Sequence, residues 1–231
     1  MLSFLAMRSI DWFPLALSFR VALIATVLAL IIGVALAWLL ARRRFAGREV
    51  LDAFVTLPLV LPPTVLGYYL LVLLSQMSPV GRAIKLITGT QLVFTWQGAV
   101  LAAAIGALPL VVKTSRASIS TVSVELENAA RTFGKTEWQI FWRITLPLSS
   151  RGIIASAMLA FARSLGDFGA TLMVAGNIPG RTQTAAIAIY DATQAGRDDY
   201  AFTLVAILSV IVLTLLYATN KLVGRGSSPT L

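Results

Sequence analysis

An all-α integral membrane protein is the fold class this sequence predicts, and three observations predict it. The 231 residues are 58% hydrophobic and only 13% charged. The apolar residues come in blocks of about 20, the length a helix needs to cross a bilayer core. Basic residues gather in the segments that separate alternate blocks. A soluble domain of this length would carry far more polar surface. Histidine and cysteine are both absent, which removes disulfides, thiol nucleophiles, histidine metal sites and the commonest general base. No catalytic residue and no metal site is expected from this chain.

The opening "MLSFLAMRSIDWF" has one Arg, an early Asp and no short apolar core ending in small residues. No cleavable leader is expected, and the first long apolar segment serves as the targeting signal. Uncharged runs at residues 21–41, 53–81, 86–112 and 200–220 read as spans. A fifth candidate at 152–180 carries Arg163 and Asp167 in its middle, and topology decides it. If all five cross, Arg42, Arg43, Arg44 and Arg48, the stretch 113–151, and the tail with Lys221 and Arg225 share one side. That side holds twelve Lys and Arg, and the other holds six: Arg8, Arg20, Arg82, Lys85, Arg181 and Arg197. The basic side is the cytoplasmic one, with the N-terminus outside and the C-terminus inside. This asymmetry accounts for the net charge of +9 without nucleic acid, which no stretch interleaving basic and aromatic residues invites. The whole of 1–231 reads as a single transmembrane domain of five to six helices, with 122–147 as a cytoplasmic segment within it.

In the second run, Pro58, Pro62 and Pro63 lack backbone donors, so the helix is expected to start irregularly or kink there. The kink serves packing or, at Pro62 and Pro63, lines a pathway. Leu-Pro-Leu occurs three times but with unmatched flanks, and no internal repeat of the kind common in single-chain carriers is present.

Between the third and fourth spans, Leu126, Ala129, Ala130 and Phe133 fall at i, i+3, i+4 and i+7, one apolar helix face. Glu125, Glu127, Asn128 and Arg131 take the other. Ser123 suits the N-cap, the acids suit the positive end of the dipole, and Gly134 suits a left-handed close. Thr136 to Gln139 has the capping-box pattern for a second helix, with Trp138, Phe141 and Trp142 as its apolar face. Pro147 marks where the chain is expected to turn into the fourth span. Two short helices bent at glycine can pack on their own protein, lie in the lipid interface or insert into a partner's groove. The acids and alanines do not make the Lys-rich, bulky pattern of an interfacial helix, and small residues permit close approach in a groove. "AARTFGKT" nearly matches a phosphate-binding loop, but it has one glycine and follows a helix where a strand is required. Any ATP is therefore bound by another chain, and no cofactor by this one.

These residues resemble a family. The pattern E-A-A, three residues, G, nine residues, I-x-L-P marks the membrane subunits of ATP-binding-cassette importers. Asn128-Ala129-Ala130, Gly134, Ile144, Leu146 and Pro147 fall on it at the same spacing, with Asn128 in the glutamate position and Glu127 one residue earlier. The stretches 57–71, 127–149 and 159–184 look like the molybdate permease subunits, with sulfate and tungstate permeases as near relatives. The resemblance implies a type I importer fold in a bacterial inner membrane, two copies forming the pathway, and the motif helix inserted into a groove on a cytoplasmic ATPase subunit. It also implies an extracytoplasmic binding protein that delivers the oxyanion. A self-contained secondary carrier and an intramembrane enzyme are the rival classes. Arg163 and Asp167, four apart on one helix face, lie about 18 Å beyond Arg151, near mid-membrane. They either neutralise each other structurally or, with Ser164 and Thr171 nearby, border the route of a dianion. Gly166 and Gly169 allow close helix approach there.

Overall fold

The computed structural model describes residues 11–224, so Arg8 and Arg225 lie outside it. Every regular element among the described residues is helical. The first, α1 (Phe13–Arg42), and α5 (Trp96–Ser120) form the central seam. Small residues recur along α1 at Ala22, Ala25, Ala29, Gly33 and Ala37, all buried. They meet Ala99, Ala103 and Ala107 of α5, so the backbones approach closely, the packing mode that lipid favours. At Gly33 an added Cβ would sit 2.7 Å from Val111.

The contacts fix the topology. The Arg20 guanidinium lies 4.0 Å over the Trp96 ring at one end of the seam. At the other end Arg42 donates to the carbonyls of Ile119 (3.0 Å) and Val122 (2.8 Å). Thus α1 and α5 run parallel, and the chain must cross back between them. It does so through α2 (Arg48–Val60) and α3 (Pro63–Leu74), which meet at 114°. Asp52 of α2 pairs with Arg116 (3.1 Å) and Lys113 (3.7 Å) at the basic end, while Leu66, Leu70 and Leu74 of α3 pack on Val93 and Ala102 toward the opposite end. The bent pair is therefore one broken span, and the kink expected from proline falls at Pro62 and Pro63, where two donors are missing in succession.

Several boundaries differ from the hydropathy reading, beginning with the first span, which starts at Phe13 and not at residue 21. The run 53–81 ends as helix at Leu74, and the Ser78-capped α4 (Pro79–Thr88) follows. The third span starts at Trp96, not residue 86, because Gly89 takes φ 72° and Thr95 caps the new helix by accepting from Gly98 N at 3.2 Å. It also runs past residue 112, since Asp52 neutralises Lys113 and Arg116.

After the short α6 (Val124–Thr132), α7 (Glu137–Ile140), a π turn (Phe141–Thr145) and α8 (Leu146–Leu165) form one 29-residue span. It runs antiparallel to α5, with Ser118 on the Ser149 carbonyl and Ser115 on Ser156, each at 3.1 Å. The expected turn at Pro147 is absent. In the π turn Leu146 N donates to Phe141 O, five residues back, and the slipped register admits a proline that has no N–H to offer. The second short helix of the sequence reading is thus the start of the fourth span, which begins about four turns earlier than residue 152. The span breaks at Gly166 before α9 (Gly169–Ala175); α10 (Ala185–Gln194) and α11 (Asp198–Gly224) complete the order.

Candidate coupling and pathway sites

The first site is the α6 hairpin at the basic end. Ser123 accepts from Leu126 N, and its hydroxyl bonds the Glu125 carboxylate, holding that acid below the usual carboxylate range. The helix closes with Gly134 N on Arg131 O (2.9 Å) and Lys135 N on Ala130 O (3.1 Å), with Gly134 at φ 74°. This paired closure needs a left-handed residue, which glycine supplies without a Cβ penalty. Thr136 and Gln139 complete the capping box. Arg131 grips Glu137 with two nitrogens (2.6 and 3.1 Å) and Asn128 with a third (2.6 Å), clamping the two limbs of the hairpin together. The Glu137 contact raises the Arg131 pKa further.

The face the sequence assigned as apolar points outward: Leu126 is 53% and Phe133 83% exposed, and Ala129 is exposed beside a half-buried Ala130. Glu127 does not lie on the opposite solvated face with Glu125 and Asn128. It is 1% exposed, accepts from Arg42 Nε at 3.0 Å and from Thr145 Oγ1 at 2.7 Å, and so ties α6 to α1 and to the π turn. Of the remaining motif residues, Asn128 and Pro147 are exposed, Ile144 is half-buried, and Leu146 packs with Ala29 and Val34 against the seam. The motif therefore divides into a helix offered outward and a π turn built into the span. Arg42 and Thr145 complete the joint. The sequence showed Arg42 only as one of a charge cluster, and no local signal marked Thr145.

The second site is the break after Leu165. Arg163 Nη1 donates to Asp167 Oδ1 at 2.9 Å, and Asp167 Oδ2 accepts from Thr171 N (2.9 Å) and Thr171 Oγ1 (2.7 Å). Asp167 is thus fully engaged, with its side chain 1% exposed, while that of Arg163 is 30% exposed and passes over Gly106, where a Cβ would lie 3.6 Å from Nη2. Ser164 turns to the α5 backbone, 3.5 Å from the Ala103 carbonyl. Both hydroxyls proposed beside the pathway are spent on the protein, which leaves Arg163 as the open polar group.

Of the two prolines read as pathway candidates with this pair, Pro63 packs beside it, while Pro62 precedes α3 and is exposed. A Cβ on Gly169 would meet Pro63 at 3.0 Å, and one on Gly67 would meet Met173 at 2.7 Å. The break in the second span packs on the break in the fourth. Gly166 makes no such approach; the nearest atom to its Cβ position is the Ala162 carbonyl of its own helix.

The family model of binding-protein-dependent transport system inner membrane components matches residues 29–226. The chain is 40% identical over 215 residues to the molybdenum transport system permease protein of Escherichia coli K12, covering 93% of this chain and 94% of that one. It is 34% identical over 204 residues to the sulfate transport system permease protein of the same strain, covering 88% and 73%. In fold it is similar to a chain of the inward-facing methionine ABC transporter, with TM-score 0.66 over 94% of each chain at 19% identity.

Proposed function

Because the chain belongs to the family of binding-protein-dependent transport system inner membrane components, we propose that it is the membrane subunit of an ATP-driven oxyanion importer, and that the oxyanion is molybdate. The greater identity and fuller coverage with the molybdenum permease than with the sulfate permease support that choice of ion. The observation that carries the coupling role is the division of α6. Leu126, Ala129, Ala130 and Phe133 face outward, while Glu127 is locked inward, which is the form of a plug fixed to its own protein and shaped for another's groove.

In this reading the occupant is a cytoplasmic ATPase subunit, the basic end is cytoplasmic, and the C-terminus lies on the same side. Two copies enclose the pathway, and an extracytoplasmic binding protein supplies the ion. ATP-driven closure of the ATPase pair moves α6, and the Arg42–Glu127–Thr145 joint passes that movement to the first and fourth spans, which rock between outward-open and inward-open states. The pathway runs past Arg163 where the two breaks meet. A cation half-neutralised by Asp167 attracts a dianion without trapping it, as conduction requires. ATP is bound by the partner, and this chain performs no covalent step.

Reconstitution of the chain in liposomes with its ATPase and binding protein tests the reading. Molybdate uptake that requires ATP and resists sulfate competition is expected. Uptake by the chain alone, without ATP, makes it a secondary carrier, and preferential sulfate uptake transfers it to the sulfate permeases.

A further inference from the structure

An apolar groove of about 640 Å³ runs between α1 and the α7–π turn segment, with Trp38 on one wall and Trp138, Phe141 and Trp142 on the other. The rings form a connected set, each neighbouring pair 5.6 to 6.1 Å apart. On α1 the groove extends from Leu30 to Leu39, nine residue steps or about 14 Å. That is about half of the ~30 Å hydrocarbon core, the depth of one leaflet. Beyond its basic end the Arg43 guanidinium lies 5.8 Å from the Trp38 ring, and Arg44, the next residue in the chain, is exposed beside the neighbouring hollow of Phe45 to Val50. The one acid on the wall, Glu137, is already held by Arg131 in two bonds and by Arg43 at 3.6 Å, so the rim remains net positive.

We infer that this groove is a selective site for an anionic phospholipid of the leaflet at the basic end. One acyl chain lies along the tryptophan-lined wall, and the phosphate-bearing headgroup rests on Arg43 and Arg44. Anionic headgroups are drawn to basic residues at the membrane surface, and indole rings favour that depth. A second copy of the chain fits less well. Inserted in the same orientation it brings its own arginine cluster to the same level, like charge against like, and a crossing helix would demand a groove twice as long.

The chain has five tryptophans, of which Trp12 and Trp96 lie away from the groove, and it has no cysteine. A full-length Trp12→Phe/Trp96→Phe variant therefore reports on the groove alone. In phosphatidylcholine vesicles containing a minor fraction of bromine-labelled lipid, brominated phosphatidylglycerol is expected to quench its fluorescence several-fold more than brominated phosphatidylcholine at equal mole fraction. Arg43→Gln with Arg44→Gln should lower the preference by roughly fivefold per charge, and Arg43→Lys with Arg44→Lys should retain it. Equal quenching by the two lipids, or a preference untouched by the Gln pair, overturns the site. So does quenching by neither lipid while copies of an Ile31→Cys variant cross-link, which gives the groove to a second copy.

Discussion

Arg42, the last residue of α1, holds the carboxylate of Glu127 on α6 at 3.0 Å, with the two side chains 10% and 2% exposed. A buried pair broken on one side leaves an uncompensated charge, at a cost of about 3–5 kcal/mol. Glu127→Ala is therefore expected to lower the thermal unfolding temperature of the detergent-solubilised chain sharply. Glu125→Ala, two residues away but exposed and bonded to the neighbouring Ser123, should leave it unchanged. Equal sensitivity at the two positions would mean that the joint does not hold α6.

Phe133 protrudes from the end of the outward face. Phe133→Asp is expected to leave folding intact and to weaken co-purification of the ATPase subunit by at least ~2 kcal/mol, about thirtyfold in affinity, the scale of an aromatic anchor. Retention of the ATPase at wild-type yield would remove the docking role from this face.

At Gly134 a Cβ would meet nothing within 4 Å, yet φ is 74°. Substitution there is a pure backbone perturbation, about 1–2 kcal/mol for a side chain in the left-handed region. Gly134→Val should therefore shift the hairpin and uncouple ATP hydrolysis from uptake while the spans stay folded, which parallel ATPase and transport assays would detect.

Arg163 and Asp167 are expected to part company under mutation. Asp167→Ala strips the partner from Arg163 and from both donors of Thr171, so loss of the folded protein should follow, measured as monodisperse yield in detergent. Arg163→Leu leaves the buried Asp167 carboxylate with its two Thr171 donors but no counter-ion, so a lowered unfolding temperature is expected with assembly retained and uptake lost. Loss of the folded protein in Arg163→Leu would confine the pair to a structural role, and normal uptake would remove Arg163 from the pathway.

Gly67→Val tests the contact between the two broken spans. Its Cβ would lie 2.7 Å from Met173 and 2.9 Å from the Ala170 backbone, so overpacking of about 1–3 kcal/mol is expected, again read from the unfolding temperature. No change would show that the two breaks are free to separate.

What could be read in the sequence was local. The Ser123 cap, the Gly134 closure and the Thr136 box each lie within six residues of their partners, and the apolar stripe of α6 is a matter of spacing, so all appear in the structure as expected. Five crossings followed from charge asymmetry; four helices of the structure are long and apolar enough to cross, and the bent α2–α3 pair makes the fifth, since the parallel run of α1 and α5 requires a return between them. Glu127 was misplaced because its partner is 85 residues away, and helical periodicity says only which residues share a face, not which neighbour a face will meet. The Pro63–Gly169 contact was hidden for the same reason. The π turn has no compositional mark; Pro147 announced a disturbance in the hydrogen-bond ladder, and an extra residue per turn absorbed it where a bend was expected.

That absorbed residue has a mechanical consequence. With no bend at Pro147, the span from Glu137 to Leu165 is a single strut of 29 residues, about 43 Å long, with its foot beside the exposed hairpin and its head at the Arg163 turn. Rotation of such a strut by a few degrees about its middle swings both ends by ångströms in opposite senses. A small push at the foot therefore arrives at mid-membrane and beyond as a sideways displacement, with no intervening joint to dissipate it, and the wider π turn near the foot sets where along its length the strut bears on α1.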